Sequence, residues 1–121
     1  MGSRLLFTCT HHEDDPERAT LPFVAANVAA AAGQEAIVVC TVDAVRIGTP
    51  GGAEAIEAPG FPPLKQLYDE LIAAGGQVWL CSSCTKPRGI DETMVTEGAQ
   101  IVGAAVFIEE IVNGAKQVTT T

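Results

Sequence analysis

The sequence contains few aromatic and few basic residues. Aromatic side chains make up 5% of it, although 47% of its residues are hydrophobic. Lys and Arg number 7 against 15 Asp and Glu, which gives a formal net charge of −8. This acidic balance argues against direct binding to nucleic acids or to anionic membrane surfaces. The apolar residues are largely aliphatic, and this composition suits a sheet packed closely against helices.

Long apolar runs are also absent. No run of 18 apolar residues occurs, so we expect no transmembrane helix. The apolar stretch within residues 1–7 is too short for a signal peptide, and no cleavage site follows it. We therefore expect a cytoplasmic protein whose four cysteines stay reduced, rather than a disulfide framework. The length fits a single domain over residues 1–121.

Predicted strands and helices alternate along the chain. Short apolar segments predict strands at 4–9, 35–40, 77–81, 100–102 and 116–120. Capping residues and helical spacing predict helices at 16–32, 63–74, 91–97 and 104–112. This alternation predicts an α/β fold, with a mostly parallel sheet covered by helices on both faces.

Local signals set the expected helix boundaries. Asp15 followed by Pro16 predicts a helix start, and Gly33 predicts its end. Pro22 predicts either a kink or a later start of this helix. The last helix has four candidate buried positions: Val106, Ile108, Ile111 and Val112.

The segment 41–61 is long and irregular. It contains several Gly and Pro turn signals, with a short helical turn expected at 53–58. A connection of this length in a compact domain favours a lid or a binding loop. The residues leave its role open.

Three cysteines each fall at the last residue of a predicted strand: Cys9, Cys40 and Cys81. Carboxyl ends of parallel strands lie along one edge of a sheet, where open α/β folds bind ligands. Neighbouring strands are about 4.8 Å apart, so these thiols can lie close together. His11 and His12 leave the same edge.

Cys81 is the strongest candidate for a reactive thiol. Cys84 follows it at CxxC spacing, and Lys86 and Arg88 follow in the same loop. The two cations and the helix start at Asp91 favour a thiolate, the species that attacks a disulfide or persulfide sulfur. Cys84 is either a resolving thiol for Cys81 or a passive neighbour, and both interpretations stay open.

Four further residues are candidates for substrate binding. Cys9 and Cys40 can line the strand-end cleft, although buried cysteines are more often core residues. His11 or His12 can donate a proton, because histidine titrates near neutral pH, or the pair forms an exposed polar turn.

Arg88 also has two interpretations. It either holds an anionic group at the site or pairs with Glu92 on the surface. A single CxxC pair does not supply the four ligands of a zinc site. We therefore expect no metal and no cofactor.

The segment from Cys81 to Gly89, directly after a predicted strand, resembles the DsrE/DsrF-like family. In that family a cysteine ends the third strand and an Arg-Gly pair follows, which Cys81 and Arg88-Gly89 match. The segments 15–19 and 97–104 are similar as well, so the resemblance covers nearly the whole chain.

The resemblance implies a three-layer α/β/α fold with a five-stranded sheet, and assembly into homotrimers or homohexamers. Better-studied relatives pass persulfide sulfur between proteins through a cysteine that matches Cys81. We therefore expect a persulfide carrier or sulfurtransferase that works with donor and acceptor proteins. Its catalytic residues would be Cys81, Cys84 and Arg88.

Two other functions stay open, and with them the question of whether the chain is an enzyme. One is a non-catalytic oligomeric module that binds a small molecule or a partner. The other is a thiol-disulfide redox protein that uses Cys81 and Cys84.

Overall fold

A computed structural model describes residues 3–120 of the chain. The strands are β1 (Arg4–Cys9), β2 (Glu35–Cys40), β3 (Gln77–Cys81), β4 (Ala99–Val102) and β5 (Lys116–Val118). The helices are α1 (Pro16–Ala31), α2 (Leu64–Ala73), the single turn α3 (Ser82–Thr85) and α4 (Ala104–Val112). Three short 3₁₀ helices cover Val42–Gly48, Lys86–Arg88 and Glu92–Met94. Residues 1, 2 and 121 of the predicted domain lie outside the described residues.

The five strands form one sheet in the order β4-β3-β2-β1-β5. Every neighbouring pair is parallel. α1 and α2 pack against one face of the sheet, and α4 packs against the other. The structure therefore confirms the predicted α/β class and the three-layer α/β/α arrangement.

α1 begins as its sequence predicts. The side chain of Asp15 accepts a hydrogen bond from the Arg18 backbone N–H at 3.0 Å, and Pro16 occupies the first turn. Gly33 follows the helix with a φ of +85°, a conformation that glycine adopts without steric cost. Pro22 lies inside the continuous helix, so the alternative of a start near Pro22 is wrong.

Two hydrophobic cores lie on the two faces of the sheet. The larger core fills the space between the sheet and α1 with α2, around Phe23, Val38 and Leu71. The smaller core contains Leu6, Ile37, Val39 and Trp79, which pack against Phe107 and Ile111 of α4. Both faces of the central strands are thus buried, as expected for a parallel sheet.

The expected burial of α4 is only partly correct. Ile111 packs against the smaller core, but Val106, Ile108 and Val112 are 41%, 58% and 77% exposed. The physical reason is that α4 has nine residues and is itself the outer layer on this face. Its outward side has no further layer of the described chain to pack against, and apolar side chains remain there.

The start of the segment 41–61 is more regular than predicted, and its middle is less regular than predicted. Val42–Gly48 forms a 3₁₀ helix, whereas residues 53–58 form a turn followed by irregular backbone instead of a helical turn. Asp91 caps the 3₁₀ helix Glu92–Met94, which is shorter than the helix expected at 91–97.

None of the helices within residues 3–120 combines the length and apolar character needed to cross a bilayer.

Candidate functional site

Three strands end in a cysteine at the carboxyl edge of the sheet, as the sequence predicts. β1 ends at Cys9, β2 at Cys40 and β3 at Cys81. Cys9 and Cys40 are direct partners in the β1–β2 ladder. Cys81 pairs with Val102 of β4.

The alternation of side chains along the strands separates these thiols. Cys9 and Cys40 belong to the larger core, on the side of α1 and α2. Cys81 lies two residues after Trp79, which belongs to the smaller core on the side of α4. The expected closeness of strand-end thiols therefore holds for Cys9 and Cys40, whereas Cys81 is on the opposite face.

Cys9 and Cys40 form a buried pair. They are 1% and 0% exposed, and the Cys9 thiol donates to the carbonyl of Ala19 at 3.5 Å. The hydrogen bond with Cys9, followed by complete burial, raises the pKa of the Cys40 thiol well above its ordinary value. A thiol held in its protonated form is a poor nucleophile, so these positions favour a structural role for the pair.

Cys81 and Cys84 are in a different environment: all four cysteines are free, but only these two residues are partly exposed. Cys81 is the N-cap residue of α3, and Cys84 lies within that turn. Cys84 also packs partly against the larger core. Of the four cysteines, these two are the ones that a reagent in solvent can reach without unfolding the sheet.

The N-terminus of α4 begins beside Cys81. Val102 is the ladder partner of Cys81, and α4 starts two residues later with Gly103 as its N-cap. A Cβ atom added to Gly103 would lie 3.9 Å from the hydroxyl oxygen of Ser82, the residue after Cys81. The positive end of this nine-residue helix therefore adjoins the cysteine loop.

Arg88 pairs with Asp43 and not with Glu92. Its Nε donates to Asp43 Oδ1 at 2.9 Å, and its Nη1 donates to the carbonyl of Cys84 at 3.1 Å. No local pattern indicated Asp43 as the partner, because it lies 45 residues away in an irregular segment. The positive charge of Arg88 is therefore partly compensated, while Lys86 has no ion-pair partner among residues 3–120.

The two histidines have separate structural environments. The His12 ring is 5% exposed, and its Nε2 lies 2.8 Å from the carbonyl oxygen of Gly52, to which an Nε2–H donates. His12 thus holds the turn at 49–52 against the segment after β1, and the interpretation of an exposed polar turn is wrong for it. His11 Nδ1 lies 2.7 Å from Asp14 Oδ2, in a partly exposed hydrogen bond.

Two further features lie apart from the cysteine loop. Within the described chain, no three His, Cys, Asp or Glu side chains are grouped so that they could hold a metal ion. A cavity of about 510 Å³ lies between the segment 47–54, α2 and residues 96–97. No residue from 81–88 contributes to its lining.

The family model described as "DsrE/DsrF-like family" matches residues 3–120, which is nearly the whole chain. The chain belongs to the DsrE/DsrF-like family. At the level of the family, this membership suggests a sulfur relay.

One curated relative is the uncharacterized protein MJ0760 of Methanocaldococcus jannaschii. It is 27% identical over 92 residues, which cover 76% of this chain and 34% of that protein. The matched region thus spans about a third of the length of that relative.

Two solved structures share the fold. The YchN protein of E. coli superposes with a TM-score of 0.79 at 20% identity, covering 98% of this chain and 99% of YchN. MTH1491, a protein of unknown function from Methanobacterium thermoautotrophicum, superposes with a TM-score of 0.76 at 19% identity and covers the same shares. At these identities the likeness concerns the fold alone.

The two partly exposed cysteines of this DsrE/DsrF-like chain therefore lie in one loop. Cys81, Cys84 and Arg88 lie within eight consecutive positions, and a hydrogen bond joins Arg88 to the Cys84 backbone. The candidates Cys9, His12 and Cys40 are buried elsewhere in the fold. Chemically, the loop offers a partly exposed sulfur, a second thiol three residues on, and an adjacent helix N-terminus.

Proposed function

We propose that the protein carries sulfane sulfur as a persulfide on Cys81 and passes it to an acceptor thiol. The observation that carries this proposal is the placement of Cys81. Its partly exposed thiol ends β3 on the α4 side of the sheet, beside the N-terminus of α4. Family membership supports sulfur-relay chemistry in general, and the persulfide on this residue is our specific assignment.

Loading is a simple displacement at sulfur. The Cys81 thiolate attacks the outer sulfur of a donor persulfide, R–S–SH. The S–S bond of the donor breaks, the donor leaves as a thiolate, RS⁻, and Cys81 becomes Cys81–S–SH. An acceptor thiolate then attacks the outer sulfur, takes it as a new persulfide, and regenerates the Cys81 thiolate.

Cys84 provides a second release route. Its thiolate can attack the inner sulfur of the Cys81 persulfide, which forms a Cys81–Cys84 disulfide and releases HS⁻. A dithiol reductant must then reduce that disulfide before the next cycle. This route also defines the redox alternative, in which the disulfide forms and breaks but no sulfur atom is carried.

The test is mass spectrometry after incubation with glutathione persulfide. We expect Cys84→Ser, in which the release route through Cys84 is closed, to gain the mass of one sulfur atom, and Cys81→Ser to gain none. Cys84→Ser is a matched control because it also removes one partly exposed thiol of the loop. A Cys84→Ser protein without the adduct, or an adduct retained in Cys81→Ser, would contradict the proposal. A reversible Cys81–Cys84 disulfide without any sulfur uptake would support the redox alternative.

We further infer that copies of this chain associate through the outer side of α4. The supporting observation is the set of apolar side chains exposed there, with Ile108 and Val112 at 58% and 77%. The alanines of α1 are less suited to this role, since Ala19, Ala26 and Ala29 are buried within the chain's own core. A homotrimer or homohexamer would cover the α4 surface.

Sedimentation equilibrium tests this assembly. We expect wild type to have three or six times the mass of one chain, and Ile108→Glu with Val112→Glu to have the mass of one chain. Val28→Glu is the matched control, because Val28 is 67% exposed on α1, on the other side of the sheet. A monomeric wild type, or a double variant that still assembles, would contradict the inference.

We place the sulfur transfer in the cytoplasm, where free thiols such as these four persist.

A further inference from the structure

Val42 has an unusual backbone conformation directly after β2. Its φ is +54°, and it is the one residue other than glycine with a positive φ among residues 3–120. β-branched residues rarely adopt this left-handed conformation. Val42 is also 49% exposed, so burial of its own side chain does not explain the conformation.

The contact made by the next residue does offer an explanation. Asp43 Oδ1 accepts a hydrogen bond from Arg88 Nε at 2.9 Å. Arg88 Nη1 donates in turn to the carbonyl of Cys84 at 3.1 Å. A continuous series of contacts thus joins the segment after β2 to the cysteine loop after β3, and it begins at the residue that directly follows the left-handed Val42.

These contacts engage only two of the three guanidinium nitrogens of Arg88. Nε and Nη1 are engaged, whereas Nη2 has no hydrogen-bond partner within the described residues. The planar guanidinium group holds its donors in fixed relative directions. Fixing two nitrogens therefore fixes the third, which remains available to an anionic group such as a donor persulfide.

We propose that Asp43 is a positioning residue of the cysteine loop, which acts through Arg88 to hold the loop in the arrangement in which Cys81 exchanges sulfur. This inference rests on the proposed persulfide chemistry of Cys81. Asp43 itself takes no part in the displacement. It orients Arg88, and Arg88 orients both the Cys84 backbone and the remaining N–H donors.

The first test is a double-mutant cycle on the rate of persulfide formation, measured over a range of glutathione persulfide concentrations. Asp43→Ala is expected to lower the rate at saturating donor about tenfold or more, as misplacement of reacting groups does. Asp43→Asn keeps an oxygen acceptor for Arg88 Nε and is expected to restore the rate to within about threefold of wild type. Because Asp43 acts through Arg88, the double variant Asp43→Ala/Arg88→Ala should be no slower than Arg88→Ala alone.

Arg46→Ala is the matched control. Arg46 lies in the same 3₁₀ helix, and its Nε is 3.9 Å from the same Asp43 oxygen, but the structure shows no polar contact from it to the cysteine loop. Its rate should stay at the wild-type value. A wild-type rate in Asp43→Ala, an Asp43→Asn variant as slow as Asp43→Ala, or additive losses in the double variant would overturn the positioning role.

A second measurement separates this inference from the proposed function. Alkylation of Cys81 by iodoacetamide needs no sulfur donor, and we expect its rate to change in Asp43→Ala and not in Arg46→Ala. If wild type takes up no sulfur but Asp43→Ala still alters alkylation, the proposed function fails and the positioning of the loop stands. If wild type takes up sulfur and Asp43→Ala leaves both rates unchanged, the positioning role fails and the persulfide proposal stands.

Discussion

The four cysteines should differ sharply in their reaction with iodoacetamide under native conditions. Cys81 and Cys84 are partly exposed and should be modified directly. Cys9 and Cys40 are buried in the larger core at the ends of two neighbouring strands, so a reagent reaches them only when the sheet opens. Their modification therefore measures the open population of the protein, not the chemistry of a site.

The expected difference follows from the stability of a domain of this size. Domains are stable by about 5–15 kcal/mol. Since every 1.4 kcal/mol is a factor of ten, opening that costs about 5 kcal/mol slows the buried thiols roughly four-thousandfold relative to an exposed one.

The assay is timed alkylation followed by proteolysis and mass spectrometry of each cysteine peptide. A parallel reaction in concentrated urea is the control, in which all four residues should react at similar rates. Modification of native Cys9 or Cys40 within about tenfold of the rate of Cys81 would refute the assignment of the pair to the core. It would also restore these residues as candidates for the reactive site.

Three further predictions concern residues outside the cysteine loop. Gly52→Ala should destabilise the protein by about 1–3 kcal/mol, because its Cβ would overlap the Arg46 carbonyl oxygen; Gly103→Ala, with no atom nearer than 3.9 Å, should melt like wild type. His12→Ala leaves the Gly52 carbonyl without its donor and should lower the free energy of unfolding in urea by about 1–3 kcal/mol, so an unchanged midpoint would contradict the anchoring role. The pKa of Asp15 is lowered, chiefly by the hydrogen bond that its side chain accepts from the Arg18 backbone N–H. The contribution of Asp15 to stability is therefore present above the ordinary aspartate pKa of about 3.9, and it is lost as the pH falls through the lower pKa of the folded state. Melting temperature measured against pH should therefore fall less steeply in acid for Asp15→Asn than for wild type, and equal slopes would be evidence against this contribution.

Local signals in the sequence predicted most of the fold. The strand ends at Cys9, Cys40 and Cys81 and the bounds of α4 agree with the structure, since apolar runs and capping residues act within a few positions. The predicted burial of Ile108 and Val112 was wrong, because helical periodicity identifies an apolar face but not the element that covers it.

The contacts that shape the site could not be predicted in the same way. Asp43 meets Arg88, and His12 meets Gly52, across 45 and 40 residues through loops whose paths no local rule determines. The separation of Cys81 from the other strand-end thiols was predictable in principle. It follows from the ladder register, which pairs Cys40 with Leu80 and thus sets Cys81 one position further along, on the opposite face.

The position of Trp79 has a practical consequence for studying the chain. It is the only tryptophan in the sequence, and it lies 4% exposed in the smaller core under α4, with its indole N–H 3.0 Å from Gln77 Oε1. Cys81 follows two residues later on the same side of the sheet. The chain therefore contains an intrinsic fluorophore two residues before the proposed sulfur carrier. Its emission reports on the α4 side of the molecule, so the proposed loading of Cys81 can be followed in real time without an attached dye.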